Sequence, residues 1–174
     1  MMGGIGLLMV HFFQEISIRD MFFQGWAIHW QILIGTAYGA LTALVALALI
    51  SRKKMRSISA PFFEMFMTVD LELEDIVFYS FCAGFGEELL FRAGVQDFFG
   101  IWPTAIFFVA IHGYLNPKNW RIFIYGFLLV FVSAGFGYLY RDVGYFSAAI
   151  AHMVFDIGMF YYLIKKKENK LAVE

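Results

Sequence analysis

The chain has 174 residues, of which 61% are hydrophobic and 20% aromatic, with a mean hydropathy of +0.70 and a net charge of −1. These values lie well above those of a soluble globular domain, so they indicate a polytopic membrane protein and give no reason to expect nucleic-acid binding. Spans of about 20 residues fill this length, so we expect one membrane domain, residues 1–174. Cys82 is the only cysteine, which excludes an intrachain disulfide.

The N-terminal residues 1–25 are apolar but contain three charged residues and lack the basic region of a signal peptide. We expect an outer or interfacial segment here, with a sixth short span as the alternative. The first predicted span covers 28–50. It ends at the basic run 52–56, which marks the cytoplasmic side of the membrane.

Residues 61–69 are rich in Phe and Met, a composition that predicts a helix lying at the membrane interface. Four acidic residues follow between Asp70 and Asp75, and acidic side chains favour the N-terminus of a helix through its dipole. The second predicted span therefore begins there and continues to about Phe98. Gly100 and Pro103 then mark a turn.

Three further spans are predicted at 103–115, 122–140 and 144–164. The loop between the first two carries Lys118 and Arg121, and the last span ends at the three lysines 165–167. Under the positive-inside rule, the loop with Lys118 and Arg121 and the C-terminus after the three lysines both lie on the cytoplasmic side. We therefore predict an all-α transmembrane bundle of about five spans with an interfacial helix, in a membrane that short loops suggest is the inner membrane of a prokaryote.

Charged side chains interrupt the second span at Glu87, Glu88 and Arg92. Each charged residue at the centre of a bilayer costs roughly 2.5 to 3.5 kcal/mol on insertion scales, so these three are expected to face protein, water or one another. Glu88 and Arg92 are four residues apart and meet on one helix face. Glu87 points about 100° away from its neighbour and is free to face other spans.

His112, His152 and Asp156 are polar residues within the third and fifth spans. At a rise of 1.5 Å per residue, they and Glu87 all lie about 12 to 18 Å below the outer ends of their spans. A carboxylate and an imidazole in a wet cavity can pass a proton from water to a leaving amine. A second histidine and a neighbouring hydrogen-bonding group can stabilise an oxyanion. The pattern therefore predicts a membrane-buried amide hydrolase.

Two kinds of alternative stay open. Glu87, His112, His152 and Asp156 could instead supply the ligands of a zinc ion, although the HExxH motif is absent. We expect no cofactor, with zinc as the alternative. Intramembrane Glu and His are also typical of a transporter or proton relay, which would more often show repeated halves. A catalytically silent scaffold or immunity protein is the other rival.

Three motifs occur in order on separate spans: Glu87-Glu88 with Arg92, Phe108 with His112, and His152 with Asp156. Together they resemble the CAAX protease and bacteriocin-processing family of intramembrane proteases, also called CPBP or Abi. The resemblance covers residues 75–164 as a catalytic core, with 1–74 as an N-terminal interfacial segment plus one span.

The resemblance implies a glutamate-type endopeptidase. In it, Glu87 and His112 would activate water, His152 and Asp156 would form the oxyanion site, and Glu88 with Arg92 would support the base. The implied partners are a membrane-associated protein or peptide and the lipid bilayer. A prenylated CAAX tail, a leader and a C-terminal sorting tail remain equal candidates for the substrate.

One position departs from the family pattern, because Asp156 stands where many members have Asn. An ionised Asp cannot donate a hydrogen bond to an oxyanion. We therefore expect Asp156 to be protonated, to orient His152 or to bind a metal.

Other features of the sequence have structural interpretations. Gly35 and Gly39 form a small-xxx-small pattern, which we interpret as helix packing within the monomer. His11 and His29 lie outside the motifs, and we interpret them as interfacial or structural residues. The four tryptophans fall near predicted span ends, as interface anchors do.

Overall fold

A computed structural model describes residues 1–14, 16–52, 55, 68–69 and 71–171, with side chains as far as Lys167. Every regular element in these ranges is helical, as predicted. The elements are α1 (Met2–Phe13), α2 (Ile18–Phe23), α3 (Ile28–Ile50), α4 (Leu73–Glu88), a π-helical segment (Leu89–Val95) with a last turn (Gln96–Phe99), α5 (Ile101–Ile111), α6 (Trp120–Asp142) and α7 (Tyr145–Leu171).

Three of the described helices are long and apolar enough to cross a membrane: Ile28–Ile50, Trp120–Asp142 and Tyr145–Lys167. They correspond to the predicted spans 28–50, 122–140 and 144–164. These three helices confirm the prediction of an integral membrane protein.

The second predicted span is a helix that runs from Leu73 to Phe99 and changes to π-helical geometry at Leu89. Its start is capped as the acidic cluster predicts, because the backbone N–H of Glu72 donates to the Asp75 carboxylate over 2.9 Å. The predicted interfacial helix at 61–69 lies almost entirely outside the described residues.

The prediction for the third span, 103–115, is wrong at its C-terminal end. Helix α5 has 11 residues, about 16 Å at the usual helical rise, whereas a hydrocarbon core is about 30 Å thick. Gly113 ends the helix with a φ of +80°, a conformation that glycine adopts without strain. His112 therefore lies at the end of a half-length helix and not inside a full span.

Helix α1 packs against the π-helical segment. A Cβ atom at Gly6 would lie 2.4 Å from the carbonyl oxygen of Leu89, so the two backbones are in close contact. The side-chain amide of Gln14 also donates a hydrogen bond to the carbonyl of Ala93. The 12 residues of α1 span about 18 Å, too short for the sixth membrane span that was the alternative for this segment.

Helix α7 lies between α3 and α4, and glycines bring the backbones together. Cβ atoms at Gly35 and Gly39 would lie 2.5 Å and 2.4 Å from the carbonyl oxygens of Ser147 and Ala151 on α7. This confirms that the small-xxx-small pattern serves packing within the monomer. On the other side, a Cβ at Gly84 would lie 2.7 Å from the Ala149 carbonyl.

Gln31 fixes the start of α7. Its side-chain nitrogen donates to the carbonyl of Trp26 over 2.8 Å, and its side-chain oxygen accepts from the backbone N–H of Phe146 over 3.0 Å. The first N–H groups of a helix have no partner within the helix, so this bond satisfies one of them. Gln31 is 2% exposed and thereby links α3 to the first turn of α7.

We predict that Gly39→Ala lowers the stability of the protein by about 1 to 3 kcal/mol, because the new methyl group must displace the α7 backbone. Gly4→Ala is the matched control, since no atom lies within 4 Å of a Cβ at Gly4. The control is expected to leave the thermal unfolding midpoint in detergent unchanged or slightly raised. Equal midpoints for the two variants would contradict the close approach of α3 to α7.

Candidate active site

A cavity of about 360 Å³ lies between α4, α5, α6 and α7 and extends to the end of α3. It contains four predicted site residues: Glu87, His112, His152 and Asp156. The rest of its wall is mostly apolar or aromatic: Ile50, Ala83, Phe108, Val109, Tyr114, Tyr125, Leu129, Val132, Ser133, Phe136, Phe155, Met159, Phe160 and Leu163.

The short α5 explains where the cavity lies. Because α5 stops at Ile111, no helical wall continues beyond His112, and the chain turns back through a loop. That loop packs tightly on α6, where a Cβ at Gly126 would lie 2.2 Å from the carbonyl oxygen of Tyr114. The cavity occupies this half of the bundle, next to the ends of α3 at Ile50 and of the apolar part of α7 at Leu163.

Glu87 and His112 face each other across the cavity, with 3.8 Å between Glu87 Oε2 and His112 Nε2. The Nδ1 atom of His112 lies 2.7 Å from the carbonyl oxygen of Phe108, which can only accept a hydrogen bond. Nδ1 therefore carries the proton, and in the neutral imidazole Nε2 presents its lone pair towards Glu87. Both side chains are partly exposed, 17% for Glu87 and 34% for His112.

Glu88 and Arg92 form the ion pair that their spacing predicts, with 2.8 Å between Arg92 Nε and Glu88 Oε2. Both side chains are fully buried. A second guanidinium nitrogen, Nη2, donates to the hydroxyl oxygen of Ser133 on α6 over 2.8 Å. The pair thus joins α4 and its π-helical extension to α6.

Four side chains surround the His152 ring. Its Nδ1 lies 3.0 Å from Glu88 Oε1, and its Nε2 lies 3.6 Å from Asp156 Oδ2. Its ring stacks on Phe136 with centroids 5.2 Å apart and an interplanar angle of 16°. Phe108 contacts it edge-on, at 5.7 Å between centroids. The imidazole therefore has a fixed orientation between two carboxylates.

Glu88, paired with Arg92, contacts His152 in the structure, and the supporting role of the pair stays a prediction. The resemblance implied that they support the base Glu87, whereas Glu88 contacts His152, the residue of the implied oxyanion site. The reason is the 100° rotation between successive helical residues. It directs Glu87 towards α5 and Glu88 towards α6 and α7. Glu87 therefore lies near His112, and Glu88 contacts His152.

The four predicted residues form two pairs, Glu87 with His112 and His152 with Asp156. Among the residues that the structure describes, no three His, Cys, Asp or Glu side chains are grouped so that they could hold one metal ion. The alternative zinc shell would require three or more of these side chains around one point. Their positions here do not fit that requirement.

Sequence reasoning missed several residues of the site. Ser133 and Phe136 contact Arg92 and His152, and Tyr114 and Tyr125 line the cavity. Ser133 could have been noticed as the only serine or threonine in the predicted span 122–140. The aromatic residues gave no signal, since the chain has 22 Phe and nine Tyr.

Comparison with known proteins identifies the region that holds these residues. Residues 70–158 match the family model described as type II CAAX prenyl endopeptidase Rce1-like. The uncharacterized protein YpbD of Bacillus subtilis (strain 168) is 32% identical over 82 residues, which cover 47% of this chain and 41% of that protein. The match therefore spans less than half of the relative's length. No solved structure matches the chain.

We predict that Arg92→Met lowers the stability by about 3 to 5 kcal/mol, because it leaves the fully buried Glu88 carboxylate without its cation. Arg92→Met combined with Glu88→Leu is expected to recover most of that loss. Arg141→Met is the control, since its ion pair with Asp142 is exposed, and little change is expected. A loss of equal size in Arg141→Met and Arg92→Met would contradict this account.

Proposed function

We propose that this chain, which belongs to the Rce1-like type II CAAX prenyl endopeptidase family of intramembrane proteases, hydrolyses a peptide bond of a membrane-associated protein or peptide. The observation that carries the proposal is the pair Glu87 and His112 in the cavity wall. Their facing atoms are 3.8 Å apart, too far for a direct hydrogen bond but suited to a bridging water. That water is the proposed nucleophile.

Glu87 and His112 have different roles in moving the protons of this water. His112 accepts a hydrogen bond at Nε2, because Nδ1–H is held by the Phe108 carbonyl. The Glu87 carboxylate takes the proton as the water oxygen bonds to the substrate carbonyl carbon. It then returns that proton to the amine nitrogen as the C–N bond breaks. The products are one carboxylic acid and one amine, which become a carboxylate and an ammonium by transfer of one proton between them, with no proton gained or lost by the enzyme.

His152 is proposed to stabilise the oxyanion that forms during this attack. Glu88 accepts a hydrogen bond from Nδ1–H of His152, so the imidazole can carry a second proton at Nε2. A hydrogen-bond donor aimed at the developing negative charge lowers the barrier, because it interacts more strongly with the transition state than with the ground state. Asp156, 3.6 Å from Nε2, orients this donor and balances its charge.

We further propose that substrate enters the cavity from the cytoplasmic side. Its apolar walls extend to Ile50 and Leu163, close in sequence to Arg52 and to the lysines 165–167. Basic residues of this kind mark the cytoplasmic side. We therefore place the C-terminus and the substrate entrance on that side, in the inner membrane of a prokaryotic cell.

We predict that Glu87→Gln and His112→Ala each lower the cleavage rate by about 10² to 10⁴, the range for loss of general acid–base catalysis. The assay uses purified protein in lipid vesicles with a panel of membrane-tethered peptides. His29→Ala is the control, because His29 is exposed and lies outside the cavity. A strong chelator is expected to leave the wild-type rate unchanged.

Each other outcome has a definite meaning. Loss of activity with chelator, restored by zinc, would favour the metal alternative. Unchanged rates in both variants would reject Glu87 and His112 as the catalytic pair. No cleavage of any peptide or of proteins from the native membrane would favour the scaffold or the proton relay.

We predict that Asp156→Asn keeps the cleavage rate within about tenfold of the wild type, because an amide oxygen keeps partial negative charge beside His152 Nε2, which lies 3.6 Å from the carboxylate. Asp156→Ala is expected to lose considerably more, since the ring then has only Glu88 as a polar partner. Rates from the same vesicle assay distinguish the variants. Equal rates for Ala and Asn would contradict an orienting role.

A further inference from the structure

Ser133 is a polar residue in the cavity wall with no role in the chemistry described so far. It lies on α6, is 2% exposed, and lines the cavity together with His152. Phe136, one turn further along α6, stacks on the His152 ring. The Ser133 hydroxyl therefore lies close to the reacting groups.

The hydrogen bond to Arg92 fixes how this hydroxyl is used. A guanidinium has donors only, so Ser133 Oγ is the acceptor of the 2.8 Å bond from Arg92 Nη2. The hydroxyl proton must then point elsewhere. Within the described part of the chain, this bond is the only one that the Ser133 side chain makes.

Two other buried hydroxyls, those of Thr42 and Ser147, donate to their own helix, whereas those of Ser80 and Thr104 have no partner among the described residues. Thr42 Oγ1 donates to the Tyr38 carbonyl over 2.7 Å, and Ser147 Oγ donates to the Gly144 carbonyl over 2.6 Å. Such a bond to the preceding turn is the usual way to satisfy a hydroxyl in a helix. Ser133 makes no such bond to a described residue, but unlike Ser80 and Thr104 it lines the cavity, so its O–H is available to a group bound there.

We propose that Ser133 donates a hydrogen bond to a backbone carbonyl of the substrate next to the scissile bond. The inference rests on the proposed proteolysis. Because Ser133 also accepts from a buried guanidinium, its O–H is polarised and is a stronger donor than an isolated serine.

The experiment combines changes in the enzyme and in the substrate. The probe is the membrane-tethered peptide that the wild type cleaves fastest, made with a single thioamide at each non-scissile position around the cleavage site. Sulfur in a thioamide accepts hydrogen bonds poorly, so one position should lower kcat/KM about tenfold in the wild type, the effect of one hydrogen bond. In Ser133→Ala that penalty should fall to about twofold or less on the same scale.

The coupling between enzyme and substrate separates contact from structure. A purely structural role would lower the rate of Ser133→Ala but keep the thioamide penalty, and this result would overturn the inference. Ser147→Ala, which removes an equally buried hydroxyl outside the cavity, should keep the full penalty. If Ser133→Ala does not fold, Ser133→Cys gives the same comparison with a weak donor.

Failure of the inference is distinguishable from failure of the proposed function. If the wild type cleaves no peptide, the proposed proteolysis fails and the inference fails with it. If the wild type cleaves but no thioamide position distinguishes it from Ser133→Ala, only the inference is overturned.

Discussion

The fully buried ion pair of Glu88 and Arg92 constrains the rest of the bundle. Removing two charges from water is so unfavourable that the pair is tolerated only with close geometry and further hydrogen bonds. Here Ser133 on α6 supplies one of these bonds and His152 on α7 another. Three helices must therefore keep a fixed register for the charges to remain satisfied. The same register places His152 and Asp156 in the wall of the cavity that also contains Glu87 and His112.

Close helix packing makes this register attainable. Gly35, Gly39 and Gly84 let the backbones of α3 and α4 approach α7 closely. A Cβ atom at any of these positions would lie 2.4 to 2.7 Å from a carbonyl oxygen of α7. In a bilayer, helix association depends on such packing and on interhelical hydrogen bonds, because lipid offers no hydrophobic driving force. The short α5 adds the opposite feature, an interrupted wall that leaves space for a substrate beside His112. The bundle thus combines a closely packed part with a part that contains the cavity.

Several parts of this account follow from the sequence, and the reasons for the others are physical. Hydropathy predicts α3, α6 and α7 well, because long apolar segments bounded by charges have one interpretation. The i,i+4 spacing predicts the contact of Glu88 with Arg92. The end of α5 was missed because the boundary was placed at the polar loop that starts at Asn116, whereas Gly113 already ends the helix. The contact of Glu88 with His152 and the bond to Ser133 depend on how separate helices rotate against one another, which no local pattern contains.

Activation of water by Glu87 and His112 can be tested with a high-resolution crystal structure in lipid, with anomalous data at the zinc absorption edge. The account predicts a water molecule within hydrogen-bond distance of both Glu87 Oε2 and His112 Nε2, and no anomalous peak in the cavity. A peak coordinated by the histidines and Asp156 would contradict metal-free activation of water by Glu87 and His112. So would side chains of Glu87 and His112 that face different regions of the protein.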